Sequence, residues 1–323
     1  MEIKHIDYLR ISVTDRCNLR CSYCRPDNSV KLSPDYFLRY EEIRDIVDVF
    51  SEYGLDKVRI TGGEPLLRKD IHKLIGMLNT IKGIKDISMT TNGILLPKYA
   101  DLLKDNGLRR VNISLDSLKE DRFRRLTGGS LGDVLKGIEY AKKCNLEPVK
   151  INVVLIRGFN EDEILNFVEF AVKWDVHVRF IELMPVGFLD FFDYSKVLPL
   201  QEVKEIIEKS YGELIPFETV SSKASKDYMV KSTGAIIGFI SPVSIPFCDG
   251  CRKLRLTSDG KLKFCLRTEE EMDIKGIIRK GGKRGLKDVM DLILERKFIS
   301  NVKIANNNYA FLSFIKPMIN VGG

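Results

Sequence analysis

Three cysteines stand within eight residues, Cys17-Asn18-Leu19-Arg20-Cys21-Ser22-Tyr23-Cys24. That spacing cannot hold three thiols on one face of a helix or strand, but a loop can turn all three sulfurs toward one inorganic centre. A 4Fe-4S cube usually takes four thiolates; with three, one iron keeps an open position where a chelating small molecule can bind and react. A zinc knuckle, or a disulfide pair with a spare thiol, is the alternative at this point. A second triplet lies far along the chain at Cys248, Cys251 and Cys265. Ser258-Asp259-Gly260 is a hairpin turn signal between Leu254 to Thr257 and Lys261 to Cys265, so the strand pair folds Cys265 back toward Cys248 and Cys251. Six of the seven cysteines fall in these triplets, a pattern of metal ligation in a reducing compartment and not of a disulfide framework. The seventh, Cys144, follows Leu131, Val134, Leu135, Ile138 and Ala141 and reads as a core cysteine at a helix end.

Apolar runs of strand length alternate with helical patterns and would carry these loops. The strands are Ile6 to Val13, Val58 to Thr61, Ile87 to Thr90, Val111 to Leu115, Lys150 to Ile156 and Val178 to Leu183. Between them Ile43, Ile46, Val47 and Phe50, then Ile71, Leu74, Ile75 and Leu78, and later Ile164, Phe167, Val168 and Ala171 recur at helical spacing. Gly54, Gly107 and Asn145 stand where helix C-termini are expected. Six such units give an α/β fold, an incomplete (βα)6 TIM-type barrel with a parallel sheet and helices outside. Polar or unusual residues follow each strand: Thr14-Asp15-Arg16, Gly62-Gly63-Glu64-Pro65, Thr90-Thr91-Asn92-Gly93, Asp116 and Met184-Pro185-Val186-Gly187. In such barrels the strand C-termini form the active face, and Gly62 and Gly63 let backbone approach a ligand.

From about Leu189 the rhythm changes, with a helical stretch at Leu200, Val203, Ile206 and Ile207 and a polar segment near 221–226. The division is drawn as a barrel over residues 1–218 and a C-terminal cluster-binding extension over 219–323. The extension ends in two helices, one opened by Thr268 and Glu271 as a capping box.

At 323 residues and 44% apolar composition the chain can build a real core. The N-terminus lacks an h-region and no run of eighteen apolar residues occurs, so neither secretion nor membrane spanning is indicated and the cytoplasm is the expected location. The net charge of +7 suggests an anionic partner without choosing among nucleotide, nucleic acid and lipid surface. His5, His72 and His177 fit no ligand spacing and read as structural or surface residues.

Taken in order, Cys17-x3-Cys21-x2-Cys24, Gly62-Gly63-Glu64-Pro65-Leu66-Leu67-Arg68, Ser114-Leu115-Asp116-Ser117, Ile181-Glu182-Leu183-Met184-Pro185-Val186-Gly187, the second triplet and the terminal Gly322-Gly323 resemble the radical-SAM GTP 3',8-cyclases of molybdenum-cofactor biosynthesis. The first cysteine loop marks only the superfamily; the second triplet and the diglycine end narrow it to this family. The resemblance implies a 4Fe-4S cluster on Cys17, Cys21 and Cys24, with Tyr23, Gly63, Ser114 and Met184 around S-adenosylmethionine. It implies a second 4Fe-4S cluster on Cys248, Cys251 and Cys265 that binds the purine through its open iron. Arg10, Lys57, Arg59, Thr90, Lys150, Arg179, Lys253, Leu254 and Arg255 would hold GTP. Guanidinium forks and ammonium groups suit phosphate, and these residues are expected on strands that face the barrel mouth. The alternative for any one of the cations is a solvated surface charge. One departure stands out: the family has asparagine then arginine after the second cysteine of the later triplet, where this chain has Arg252-Lys253, and lysine keeps the charge without the bidentate fork.

The implied reaction begins with an external one-electron donor. Cleavage of S-adenosylmethionine yields a 5'-deoxyadenosyl radical, which removes hydrogen from the ribose C3' of GTP. The carbon radical attacks C8 and gives (8S)-3',8-cyclo-7,8-dihydroguanosine 5'-triphosphate. Gly322 and Gly323 would thread a narrow passage and set the radical against C3', with 311–315 anchoring that tail. A downstream pterin synthase and a second copy of the chain are candidate partners; no nucleic acid and no membrane are expected. Two rival readings stand beside this one. A peptide-modifying radical-SAM maturase would also carry an auxiliary cluster, but predicts a peptide-binding module and more cysteines. A non-catalytic metal-cluster protein that binds nucleic acid would need a basic stripe with interleaved aromatics.

Overall fold

The computed structural model describes residues 5–24, 33–187, 189–218, 224–245, 248 and 250–306. Gly322, Gly323 and the 311–315 anchor lie outside the described residues. The six expected strands are present as β1 (Tyr8–Ser12), β2 (Lys57–Thr61), β3 (Asp86–Thr91), β4 (Arg110–Ser114), β5 (Lys150–Leu155) and β6 (His177–Glu182). They pair in parallel, in chain order. Between them run α1 (Tyr40–Glu52), α2 (Ile71–Asn79), α3 (Leu96–Asp105), α4 (Glu120–Thr127), α5 (Leu131–Lys143) and α6 (Ile164–Trp174). Strand alternation sorts the side chains: Leu9, Ile11, Val58 and Ile60 are fully buried in the apolar core with Phe50, Leu74 and Phe167 of the helices, while the residues between them turn inward. Burying one such leucine or phenylalanine contributes about 1.5–3 kcal/mol. Cys144 caps α5 and is buried, as its pattern implied.

Beyond α7 (Leu200–Tyr211) come β7 (Leu214–Pro216), β8 (Lys226–Val230) and β9 (Ile236–Ile240), then β10 (Lys253–Leu256), β11 (Lys261–Lys263) and β12 (Glu271–Asp273). These strands extend the sheet at both edges, in the order β12-β11-β10-β1-β2-β3-β4-β5-β6-β9-β8-β7. β10 lies parallel to β1 and β9 parallel to β6, so the partial barrel is widened by a strand on each flank. The division at 218/219 falls between β7 and β8, which pair antiparallel, and the two regions share one sheet. The β10–β11 hairpin is as expected, with Arg255 opposite Lys263 and Gly260 at positive φ in its turn.

The capping box at Thr268 and Glu271 is not formed. Glu271 belongs to β12, and the helix α8 (Ile274–Lys287) starts later, capped by the Asp273 carboxylate, which accepts from Gly276 N–H at 2.9 Å. A strand pairing outcompeted the local cap signal. α8 lies against α1 through Arg279–Glu42 and Lys287–Glu52 pairs at 2.8 and 2.7 Å. α9 (Met290–Asn306) follows. No helix among the described residues is long and apolar enough to cross a membrane.

Candidate active site

After β1 the chain runs through Val13 to Arg16 into the first cysteine loop, and the turn after β2 grips that segment. Gly63 N–H donates to the Thr14 carbonyl at 2.7 Å, and Glu64 N–H to that of Arg16 at 2.7 Å. A Cβ on Gly62 would stand 2.8 Å from the Thr14 oxygen, and one on Gly63 would stand 2.3 Å from the Arg16 oxygen. The two glycines are therefore required by this main-chain approach, at ordinary negative or extended φ; the close approach read from the sequence is to the cysteine loop. The Arg68 guanidinium lies over the Tyr40 ring and donates to the Val13 carbonyl at 2.6 Å. From the other side, Arg20 and Ser22 N–H groups donate to Thr127 and Leu126 carbonyls at 2.8 and 3.0 Å.

Held in this way, Cys17, Cys21 and Cys24 line a cavity of about 400 Å³ inside the partial barrel. Burial, and the proximity of Cys24, Asp116 and Cys17, push the Cys21 thiol well above its ordinary value. Three thiols so placed ionise together only when a positive centre joins them, which is what iron supplies. The Cys17 Sγ accepts from Leu19 N–H at 3.4 Å, as a thiolate ligand turned into a loop would.

Tyr23, Gly63, Ser114 and Met184 border the same end of the cavity. The Tyr23 hydroxyl donates to Asp116 Oδ2 at 2.7 Å, and Asp116 Oδ1 accepts from Val154 N–H at 2.8 Å. Burial lifts Asp116 to about 6 against these two bonds. Glu64 is buried with its carboxylate accepting from Leu66 N–H, the Thr91 hydroxyl and Asn92 N–H at 3.0, 2.8 and 2.7 Å, and burial lifts it to about 7. Neither carboxylate had been given a role from the sequence; each follows a strand, and that position was the signal.

The cations gather at a different level. In the register of the sheet, Arg255 of β10, Arg10 of β1 and Arg59 of β2 stand side by side, and the Arg59 Nε donates to Ser88 Oγ of β3 at 3.1 Å. Each is the third residue of its strand, so they form a belt across the middle of the barrel, between its mouth and the N-terminal ends of the strands. The family resemblance named them as substrate contacts, and the pairing register sets their depth. Arg10, Arg59, Thr90, Arg179, Lys253 and Arg255 line the cavity. Burial and Arg255 hold Arg10 down at about 9. Arg10 Nε, Thr90 Oγ1 and both amide atoms of Asn112 are buried without a hydrogen-bond partner among the described residues. Such atoms suit a ligand rich in acceptors, with a donor or two of its own. Tyr8, missed in the sequence, also borders the cavity, its ring beneath the Arg59 and Lys253 cations at 5.6 and 5.7 Å.

Two expected contacts stand apart from this belt. Lys57 opens β2, outside the cavity lining and 3.9 Å from Asp56. Lys150 opens β5 in register with Asn112 of β4, is 1% exposed and is not part of the cavity lining; burial and Arg179 lower it to about 7. Arg179 pairs with Asp227 of β8 at 3.2 Å, both 2% exposed at the side chain. Leu254 borders the cavity, but alternation turns its fully buried side chain into the core.

The second triplet closes the deep end. Cys251 precedes β10 and Cys265 follows β11, so both lie at the strand N-terminal side, opposite the first loop by the length of β1, roughly 16 Å for five residues. Cys248, Cys251 and Cys265 all line the cavity. Burial raises Cys248 to about 11, although Arg267 opposes it. At Cys251 burial is outweighed by Lys297 and Lys253, which hold the thiol below its ordinary value. Glu182 of β6, another residue missed in the sequence, accepts from Val243 and Ser244 N–H groups at 2.8 and 2.9 Å and so steers the turn that leads to Cys248. Among the described residues no three His, Cys, Asp or Glu side chains form a site for a single metal ion.

Residues 11–171 match the Radical SAM superfamily and residues 176–301 match Molybdenum Cofactor Synthesis C. A GTP 3',8-cyclase of Thermodesulfovibrio yellowstonii is 43% identical over 323 residues, 99% of this chain and 98% of the relative. One of Clostridium botulinum is 49% identical over 278 residues, 85% of this chain and 86% of the relative. Among solved structures, Streptococcus suis SuiB bound to its precursor peptide SuiA superposes with a TM-score of 0.68 at 18% identity, over 89% of this chain and 65% of that one. At that identity the likeness concerns the fold.

Proposed function

The chain belongs to the radical-SAM superfamily and, within it, to the GTP 3',8-cyclases, and from that premise we infer how its cavity performs their reaction. The enzyme acts on GTP in molybdenum cofactor biosynthesis, with two 4Fe-4S clusters and S-adenosylmethionine as cofactors. When bound, these supply the one-electron chemistry that generates a radical able to abstract hydrogen from an unactivated carbon.

The observation that carries the site assignment is a single cavity with a thiol triplet at each end and a cation belt between them. Cys17, Cys21 and Cys24 hold the first cluster, with Tyr23, Gly63, Ser114 and Met184 around S-adenosylmethionine. Cys248, Cys251 and Cys265 hold the second, at which the purine is fixed. Arg10, Arg59, Arg255, Lys253 and Arg179 neutralise the triphosphate through charge-assisted bonds, with Lys150 beside them. A nucleotide tethered at its base and at its phosphates presents the ribose between them, facing the first loop. The sheet behind it excludes water, so orientation and shielding are the protein's main contributions.

The same reading assigns residues 1–218 to radical generation and 219–323 to substrate and second-cluster binding, with Gly322 and Gly323 setting the reacting groups in line. It places the enzyme in the cytoplasm, with an external one-electron donor, a downstream pterin synthase and a second copy of the chain as partners. The test is anaerobic turnover with GTP deuterated at C3'. Deuterium should appear in 5'-deoxyadenosine; its absence, with label retained in the nucleotide, would refute the placement of C3'.

A further inference from the structure

Helix α9 does more than close the fold. Its Lys297 is 1% exposed, and the Nζ donates to the Phe264 carbonyl at 2.7 Å and lies 3.6 Å from the Cys251 Sγ. One turn further on, Asn301 Nδ2 donates to the Cys251 carbonyl at 2.9 Å. The same helix face thus grips both sides of the second triplet, the Cys251 loop directly and Cys265 through its neighbour. Lys297 is not among the cavity-lining residues, whereas Lys253 and Arg267 are. It therefore stands behind the triplet, outside the cavity lining.

A buried lysine is costly to desolvate, and one carbonyl does not neutralise it. A cysteine thiolate at hydrogen-bond range supplies the missing negative charge. Reduction potentials of iron–sulfur clusters follow net charge and hydrogen bonds to the sulfurs. A cation here favours the more negative, reduced form. We propose that Lys297 is a positioning residue for the second cluster, donating N–H···S to the Cys251 thiolate from behind and raising that cluster's reduction potential. This rests on the assignment of Cys248, Cys251 and Cys265 as ligands made above.

The experiment uses the full chain with Cys17, Cys21 and Cys24 replaced by alanine, so that one cluster remains to be observed. Its midpoint potential is followed by EPR during an anaerobic redox titration, with and without Lys297→Met, Lys297→Gln and Lys297→Arg. Removing the cation should shift the reduced-to-oxidised ratio at fixed poise by on the order of tenfold toward the oxidised form, about 59 mV for a one-electron couple. Lys297→Gln, which keeps a donor but no charge, should fall between methionine and the parent, and Lys297→Arg should stay near the parent. Iron content and circular dichroism identify variants that fold and load. Equal potentials in the parent, Lys297→Gln and Lys297→Met would overturn the role of Lys297. A parent chain without any cluster would instead overturn the ligand assignment beneath it.

Discussion

The proposed placement of Lys150 beside the triphosphate predicts a pH dependence of GTP binding. The residue is 1% exposed, and burial together with Arg179 holds it at about 7, far below its ordinary 10.5. Asp227 pulls the other way, while Arg110 and Arg59 from neighbouring strands add to the depression. A triphosphate settling on the belt favours the charged lysine and raises its bound-state pKa. Well below pH 7 the free enzyme already carries that proton, and binding takes up none. Above pH 7 the lysine is neutral until the nucleotide arrives, so each binding event must take up a proton and affinity falls as pH rises. With a bound-state pKa of about 9 or above, uptake reaches about three-quarters of a proton at pH 7.5, and Kd grows on the order of tenfold between pH 7 and 8.5. Titration calorimetry in buffers of different ionisation enthalpy measures the uptake directly. Lys150→Met should bind more weakly at pH 7 and lose the slope. Zero uptake at pH 7.5, or an unchanged slope in Lys150→Met, would refute the coupling between this lysine and the triphosphate.

Arg255→Ala should weaken GTP binding by about 1.5–3 kcal/mol, the worth of a hydrogen bond to a charged group. Lys253→Ala should cost less, because an ammonium lacks the fork and part of its attraction is already met by the Tyr8 ring; calorimetry giving the reverse order would mean that Lys253, not Arg255, is the principal phosphate contact on β10. Deleting Gly322 and Gly323 should leave GTP binding and both clusters in place while cyclised product falls by orders of magnitude, since orientation and not affinity is lost. Product yields equal to those of the full chain would remove the tail from the reaction.

The barrel strands could be read because each combines an apolar run with inward polar residues: Arg10 between Leu9 and Ile11, and Arg59 between Val58 and Ile60. The cations themselves were named only through the family resemblance; physically, a strand that buries an arginine without need would be unstable. What could not be read was depth. Arg10, Arg59 and Arg255 share a level through pairing register, whereas Lys57 and Lys150 start their strands and miss the cavity, and register depends on partners far away in sequence. β9 escaped notice because five residues with a central glycine, Ile236–Ile240, become a strand only by joining β6. Gly63 was singled out for a close approach to a ligand, but the nearest neighbour of a Cβ there is the Arg16 carbonyl of another loop, a contact that no local pattern encodes. Lys297 carried no signal at all, since a lysine on a mixed helix reads as solvated until the helix is docked.

If one cavity joins adenosylmethionine cleavage to ring closure on GTP, both products must come from a single turnover. The reconstituted enzyme is incubated anaerobically with dithionite, S-adenosylmethionine and GTP, and the nucleotide products are identified by mass spectrometry and NMR. 5'-Deoxyadenosine should form together with a 3',8-cyclised guanosine triphosphate, both dependent on GTP. Cleavage of S-adenosylmethionine that proceeds while GTP is recovered unchanged would contradict this coupling.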